Sequence, residues 1–124
     1  KIPNGCAGIE NLYPYMLDAA NSGKITFERA VEVCSTNPAK IFGCDSKGAI
    51  EVGKDADIVI YDKDKDFTVS VNNMHSDCDY TIWEGKKLHG YPVQTYLRGS
   101  LVYDNGNFTG TPGSGMYIKR STSK

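Results

Sequence analysis

Residues 48–60 read GAIEVGKDADIVI, and within them the spacing of apolar side chains changes from the period of a helix to that of a strand. Ala49-Ile50-Glu51-Val52 is a short β-forming run, Gly53-Lys54-Asp55 has turn chemistry, and Asp57-Ile58-Val59-Ile60-Tyr61 is a second β-forming run too short for a helix. Further on, Phe67, Val69 and Val71 alternate with Thr68 and Ser70, the pattern of a half-buried strand. Residues 62–66, DKDKD, alternate in charge between these runs and read as a solvated loop. Tyr80, Ile82 and Trp83 are expected to form another strand. Residues 93–97 and 101–103 flank Arg98-Gly99, and Asp104-Asn105-Gly106-Asn107 offers a further hairpin turn before Phe108. The Gly-, Ser- and Pro-rich stretch after residue 109 has no packing pattern and reads as an exposed arm.

Upstream of Gly48 the pattern is helical. Ile9, Leu12, Tyr13, Met16, Leu17 and Ala20 recur at three-and-four spacing, with Pro14 assigned to the first turn and Asn21-Ser22-Gly23 closing the helix. Phe27, Ala30, Val31 and Cys34 repeat that spacing after Thr26, a residue suited to an N-cap. Ser35-Thr36-Asn37-Pro38 is expected to interrupt this second helix, with a short third one over residues 39–42 ended by Gly43. Three helices followed by five or six short strands, without β-α alternation, exclude a self-contained doubly wound fold. The two amphipathic helices lack a sheet of their own to cover. The opening Pro3-Asn4-Gly5 is strong turn chemistry with nothing before it to turn from. Both features lead to the expectation that these residues are the end of a longer chain.

Composition narrows the function classes. The chain has 124 residues and 13.6 kDa, with 14 Lys plus Arg against 15 Asp plus Glu. That balance gives no electrostatic footprint for nucleic acid or an anionic membrane. No apolar run approaches the roughly 20 residues that cross a bilayer, so the cytoplasm is the expected location. Cys6, Cys34, Cys44 and Cys78 form no C-x-x-C pair and lie at no zinc-finger spacing. They are expected to be free thiols, with Cys34 and Cys44 buried and Cys6 accessible.

A set of motifs then carries a resemblance. IPNGxxGIE at residues 2–10, STNPAKIFG at 35–43, Lys47-Gly48-x-Ile50-x-Val52-Gly53-x-Asp55-Ala56-Asp57-Ile58-Val59-Ile60, Trp83-Glu84-Gly85 and Arg98-Gly99 follow in this order. Together they resemble the C-terminal part of the D-hydantoinase and dihydropyrimidinase family, cyclic-amide hydrolases of the amidohydrolase superfamily. The resemblance implies an α+β segment: the last outer helices of a (β/α)8 barrel, residues 1–47, then the C-terminal strands of a small β-sandwich, residues 48–109, and an extended tail, residues 110–124. The opening loop would then be an active-site loop, since such loops gather at the C-terminal ends of barrel strands.

The chemistry implied is opening of hydantoin or dihydropyrimidine rings to N-carbamoyl amino acids. It uses two zinc ions bridged by a carboxylated lysine and held by four histidines and an aspartate. A metal serves here because an unactivated amide needs a nucleophile at neutral pH and a polarised carbonyl together. None of those ligands can be matched in this chain, so no catalytic or metal-binding residue is assigned and the chain alone is expected to be inactive. His75 and His89 are expected to be structural. The resemblance does assign Asn4 and Gly5 to substrate binding, Asn4 through its backbone: an exposed N–H and C=O on a tight loop complement the imide edge of a cyclic ureide. From spacing alone, Pro-Asn-Gly is merely a turn.

Asp55 and Asp57 could suggest a catalytic carboxylate pair, yet they bracket a strand start and are expected to make turn and side-chain-to-backbone bonds. Glu10 at a helix start favours the dipole. The family also implies a homotetramer, which the tail could help to hold. The alternative function is a non-catalytic scaffold or assembly protein of the dihydropyrimidinase-like branch.

Overall fold

The computed structural model describes residues 5–121. Helix α1, Ile9–Asn21, matches its sequence pattern, but Pro14 lies inside it and not in the first turn. The first N–H groups find Gly8, whose carbonyl accepts from Asn11 and Leu12 at 3.1 and 3.0 Å. The buried side chains of α1 are Asn11, Pro14, Leu17 and Ala20, so Leu17 and Ala20 face inward as the periodicity requires. Ile9, by contrast, is 96 % exposed.

The expected break at residues 35–38 is absent. Helix α2, Phe27–Val31, passes through a π-helical turn, Glu32–Thr36, directly into α3, Asn37–Ile41. Val31, Thr36 and Asn37 all keep right-handed helical angles, and the Asn37 N–H reaches back five residues to the Glu32 carbonyl. Pro38 explains the widened turn. It has no N–H for the Cys34 carbonyl, and its ring would collide with that carbonyl in a regular α-helix. The run ends near Gly43, at φ 64°, where the Gly43 N–H bonds the Lys40 carbonyl at 3.3 Å.

Four strands form one sheet in the order β1-β2-β3-β4: β1 Ile58–Thr68, β2 Lys87–Leu97, β3 Ser100–Asp104 and β4 Asn107–Phe108. Four expectations need correction. Of the alternating strand expected over 67–71, only residues 67 and 68 are strand, and Val71 opens a 3-10 turn. Residues 49–52 form no strand; Ile50 and Val52 are 80 % and 109 % exposed, and no neighbour among the described residues supplies a ladder for them. Residues 80–83 are coil and turn: the Tyr80 hydroxyl and the Trp83 ring turn to the opening loop, and Thr81 to Asn11 of α1. The DKDKD stretch is strand, not loop, and continues β1. In the sheet order of the described residues β1 lies at one end, a position that tolerates charges of both signs.

Both hairpin turns occur where expected. Arg98 and Gly99 (φ 48° and 80°) join β2 to β3, and Asn105 and Gly106 (φ 47° and 96°) join β3 to β4. Two consecutive positive φ angles define the turn whose twist suits a two-residue hairpin. β1 stops at Thr68 because the next residues close on themselves. Ser70 caps a 3-10 turn, Val71–Asn73, in a reciprocal box with Asn73, and the Val71 N–H is taken by the Glu84 carboxylate at 2.8 Å.

The chain divides into two compact units. One joins the residues up to Thr26 with Asp62–Tyr91, and the other joins Phe27–Tyr61 with the residues from Pro92 onward. The core of the first is Val69, Leu88 and Tyr91, with Phe67, Met74 and Trp83 packed against it. The Phe67 and Tyr91 rings stack at 3.8 Å. In the second unit Ala30 is fully buried and the Phe27 and Tyr61 rings meet at 6.0 Å. The tail is extended yet held within this unit, by the Arg98 guanidinium donating to the Ser114 carbonyl at 2.6 Å and the Ser121 N–H donating to Gly43 at 2.8 Å.

Candidate functional site

Asn4 lies outside the described residues; Gly5, its neighbour in the candidate site, is exposed. What holds the rest of the opening loop is the segment 74–83, brought to it from far along the chain. The Tyr80 hydroxyl donates to the Gly5 carbonyl at 3.2 Å. Three residues on, a Cβ added to Gly8 would stand 3.0 Å from the Trp83 ring, so glycine is what lets the indole approach the backbone.

Two further contacts complete the support. Glu10 accepts the His75 backbone N–H at 2.9 Å through Oε2 and faces His75 Nδ1 at 2.9 Å through Oε1. Its carboxylate is therefore a clamp as well as a charge in the first turn of α1. Asn11, only 2 % exposed, donates its amide to Thr81 Oγ1 and Met74 Sδ, each at 3.5 Å, while its Oδ1 has no partner. Neither role was legible, because both partners lie more than 60 residues away in sequence. The residues that sequence reasoning took for a strand, Tyr80 and Trp83, instead prop the loop.

The histidines are engaged with carboxylates. His89 Nδ1 meets Asp66 at 2.7 Å and its backbone N–H donates to Asp18 at 2.8 Å. Among the described residues no three His, Cys, Asp or Glu side chains gather as a metal site. All four cysteines are free thiols; Cys6 is exposed as expected, whereas Cys34 and Cys44 are half-buried and not buried. Burial raises the Cys34 pKa above the ordinary thiol value.

Asp55 and Asp57 are not a catalytic pair. Lys47 Nζ bridges them, 2.9 Å from Asp55 and hydrogen-bonded to Asp57. Ser46 donates to Asp55 at 2.8 Å, and Asp57 accepts the Arg98 backbone N–H at 2.8 Å. The side-chain-to-backbone bond was expected; the lysine was not. Hydrogen bonds from Lys47 and then Ser46 hold Asp55 below the ordinary carboxylate value. For Lys47 burial opposes the charge, but the bonds to Asp57 and Asp55 outweigh it and raise the pKa.

The sign for stability follows from those directions. The Asp55 contribution is present above the unfolded-state value and is lost as pH falls through the lowered native one; that of Lys47 is lost only as pH rises through its raised native value. Lys47→Met is therefore expected to flatten the acid limb of the stability curve, checked by urea midpoints measured between about pH 2 and pH 7. An acid limb as steep as in the unsubstituted protein would count against this network.

With this geometry in view, a sequence profile of the amidohydrolase family matches residues 17–103. The chain belongs to the amidohydrolase family. It is 39 % identical over 120 residues to the D-hydantoinase of Ralstonia pickettii, covering 96 % of this chain and 26 % of that protein. It is also 43 % identical over 122 residues to the dihydropyrimidinase of Rattus norvegicus, covering 97 % of this chain and 24 % of that one. Among solved structures, a D-hydantoinase from Bacillus sp. AR9 superposes with a TM-score of 0.94 at 41 % identity, covering all of this chain and 28 % of that one. This amidohydrolase segment thus spans about a quarter of the length of the relatives it matches. The α+β character expected from the sequence holds: among the described residues the helices α1, α2 and α3 accompany one four-stranded sheet. Among the described residues no helix is long and apolar enough to cross a membrane.

Proposed function

We propose that the chain is the C-terminal part of a cyclic-amide hydrolase that opens hydantoin or dihydropyrimidine rings to N-carbamoyl amino acids. The observation carrying this reading is the similarity to hydantoinases and a dihydropyrimidinase along almost the whole chain. On this reading residues 1–47 complete a (β/α)8 barrel, residues 48–109 complete a β-sandwich and residues 110–124 are the tail. The parent is cytoplasmic and tetrameric.

None of the ligands that the resemblance implies for two zinc ions and a carboxylated lysine is matched in this chain, and among the described residues no three His, Cys, Asp or Glu side chains gather. This segment's contribution is to present a loop. Asn4 and Gly5 offer backbone donors and acceptors to a cyclic ureide, whose imide edge carries the complementary set.

The test compares ring opening and metal content for this chain and for the full-length protein. Turnover of hydantoin or dihydrouracil by the full-length protein alone is the expected result. A metal-free, inert full-length protein would overturn the reading in favour of a scaffold.

A further inference from the structure

We propose that Tyr80 is a positioning residue for the substrate-contacting loop, acting through the Gly5 carbonyl; this rests on the reading that Asn4 and Gly5 meet a cyclic ureide. Gly5 is exposed, and a Cβ built on it would find no atom within 4 Å. Within this segment, then, packing does not fix this residue. Glycine has more backbone freedom to lose than any other residue, and a loop that orders only when ligand arrives subtracts that ordering from affinity.

The Tyr80 hydroxyl, 3.2 Å from the Gly5 oxygen, supplies the restraint from outside the loop. A carbonyl oxygen has two lone pairs. With one directed at Tyr80, the orientation of the other, and of the adjoining peptide planes, is limited before substrate binds.

The hydroxyl itself is carried on an anchored segment. Next to Tyr80, Thr81 Oγ1 receives the Trp83 backbone N–H at 3.3 Å and the buried Asn11 amide at 3.5 Å. Trp83 closes on Gly8, and Glu10 holds the His75 end of the same segment. A first contact held by packed and hydrogen-bonded neighbours is what binding geometry requires of its support.

Tyr80→Phe in the full-length protein removes the donor and keeps the ring. It is expected to raise KM for the ring substrate by about three- to tenfold, the scale of one hydrogen bond, with kcat within about twofold and the unfolding midpoint and metal content unchanged. Tyr80→Leu, which also removes the ring, separates the hydroxyl from packing. If Tyr80→Phe keeps the original KM and only Tyr80→Leu raises it, the hydroxyl has no positioning role and the proposal is overturned while the hydrolase reading stands. A joint fall of kcat and unfolding midpoint in Tyr80→Phe means a structural role and also overturns it. If the unsubstituted full-length protein opens neither ring, the hydrolase reading fails first and the positioning claim falls with it.

Discussion

Leu88→Ala is expected to destabilise the protein by about 2–5 kcal/mol, the range for truncating a buried leucine. Leu88 is 2 % exposed and lies in a core cluster whose other buried members are Val69 and Tyr91. Total stabilities of about 5–15 kcal/mol make this a large fraction. The loss would also loosen Trp83 and Met74, which pack on the same cluster and support the opening loop. Urea unfolding with an unchanged slope and a lowered midpoint is the expected observation; a midpoint unmoved by the substitution would mean that this cluster is not a core.

Gly48→Ala should have an effect of similar size for a different reason. Gly48 has φ 86°, and an added Cβ would lie 2.6 Å from the Ala39 Cβ and 3.3 Å from the Ser35 carbonyl oxygen. Neither neighbour is the end of a flexible side chain, so the loop must move away from the helical run. The same loop is tied there by the Thr36 hydroxyl, which donates to the Gly48 carbonyl at 2.9 Å. Backbone strain of about 1–3 kcal/mol and overpacking of about 1–3 kcal/mol then act together. Gly53→Ala isolates the first contribution, since Gly53 has φ 92° but nothing within 4 Å of the added Cβ. Gly48→Ala is expected to be the more damaging of the two by about 1–3 kcal/mol in paired unfolding measurements. Equal losses would show that the approach to Ala39 is not a tight one.

Local chemistry explains which parts of the fold were legible in advance. Asn105-Gly106 and Arg98-Gly99 announce hairpins because few residue pairs accept two positive φ angles, and α1 follows from its apolar spacing. The misread elements are those in which a distant partner decides. Tyr80, Ile82 and Trp83 are β-forming residue types, but the Tyr80 hydroxyl is drawn to Gly5 and the Trp83 ring to Gly8. Residues 62–66 look like a loop because charge is taken as a mark of irregular structure, although an edge strand accepts it readily. The π-helical turn before Pro38 keeps a helix going where proline chemistry alone predicts a break.

The candidate site was legible only through motif. IPNG reads as a turn from its residue types alone, and a link to a cyclic ureide is only what the family resemblance implies. The props of the described residues that follow it, Glu10, Asn11, Tyr80 and Trp83, are spread over the sequence and meet only in the folded first unit.

The measurement that bears most directly on this account is formation of an N-carbamoyl amino acid from dihydrouracil and from hydantoin by the full-length protein, followed at neutral pH after metal loading. Ring opening of at least one substrate is expected, and none by the present chain alone. A metal-loaded, folded full-length protein that opens neither ring would contradict it.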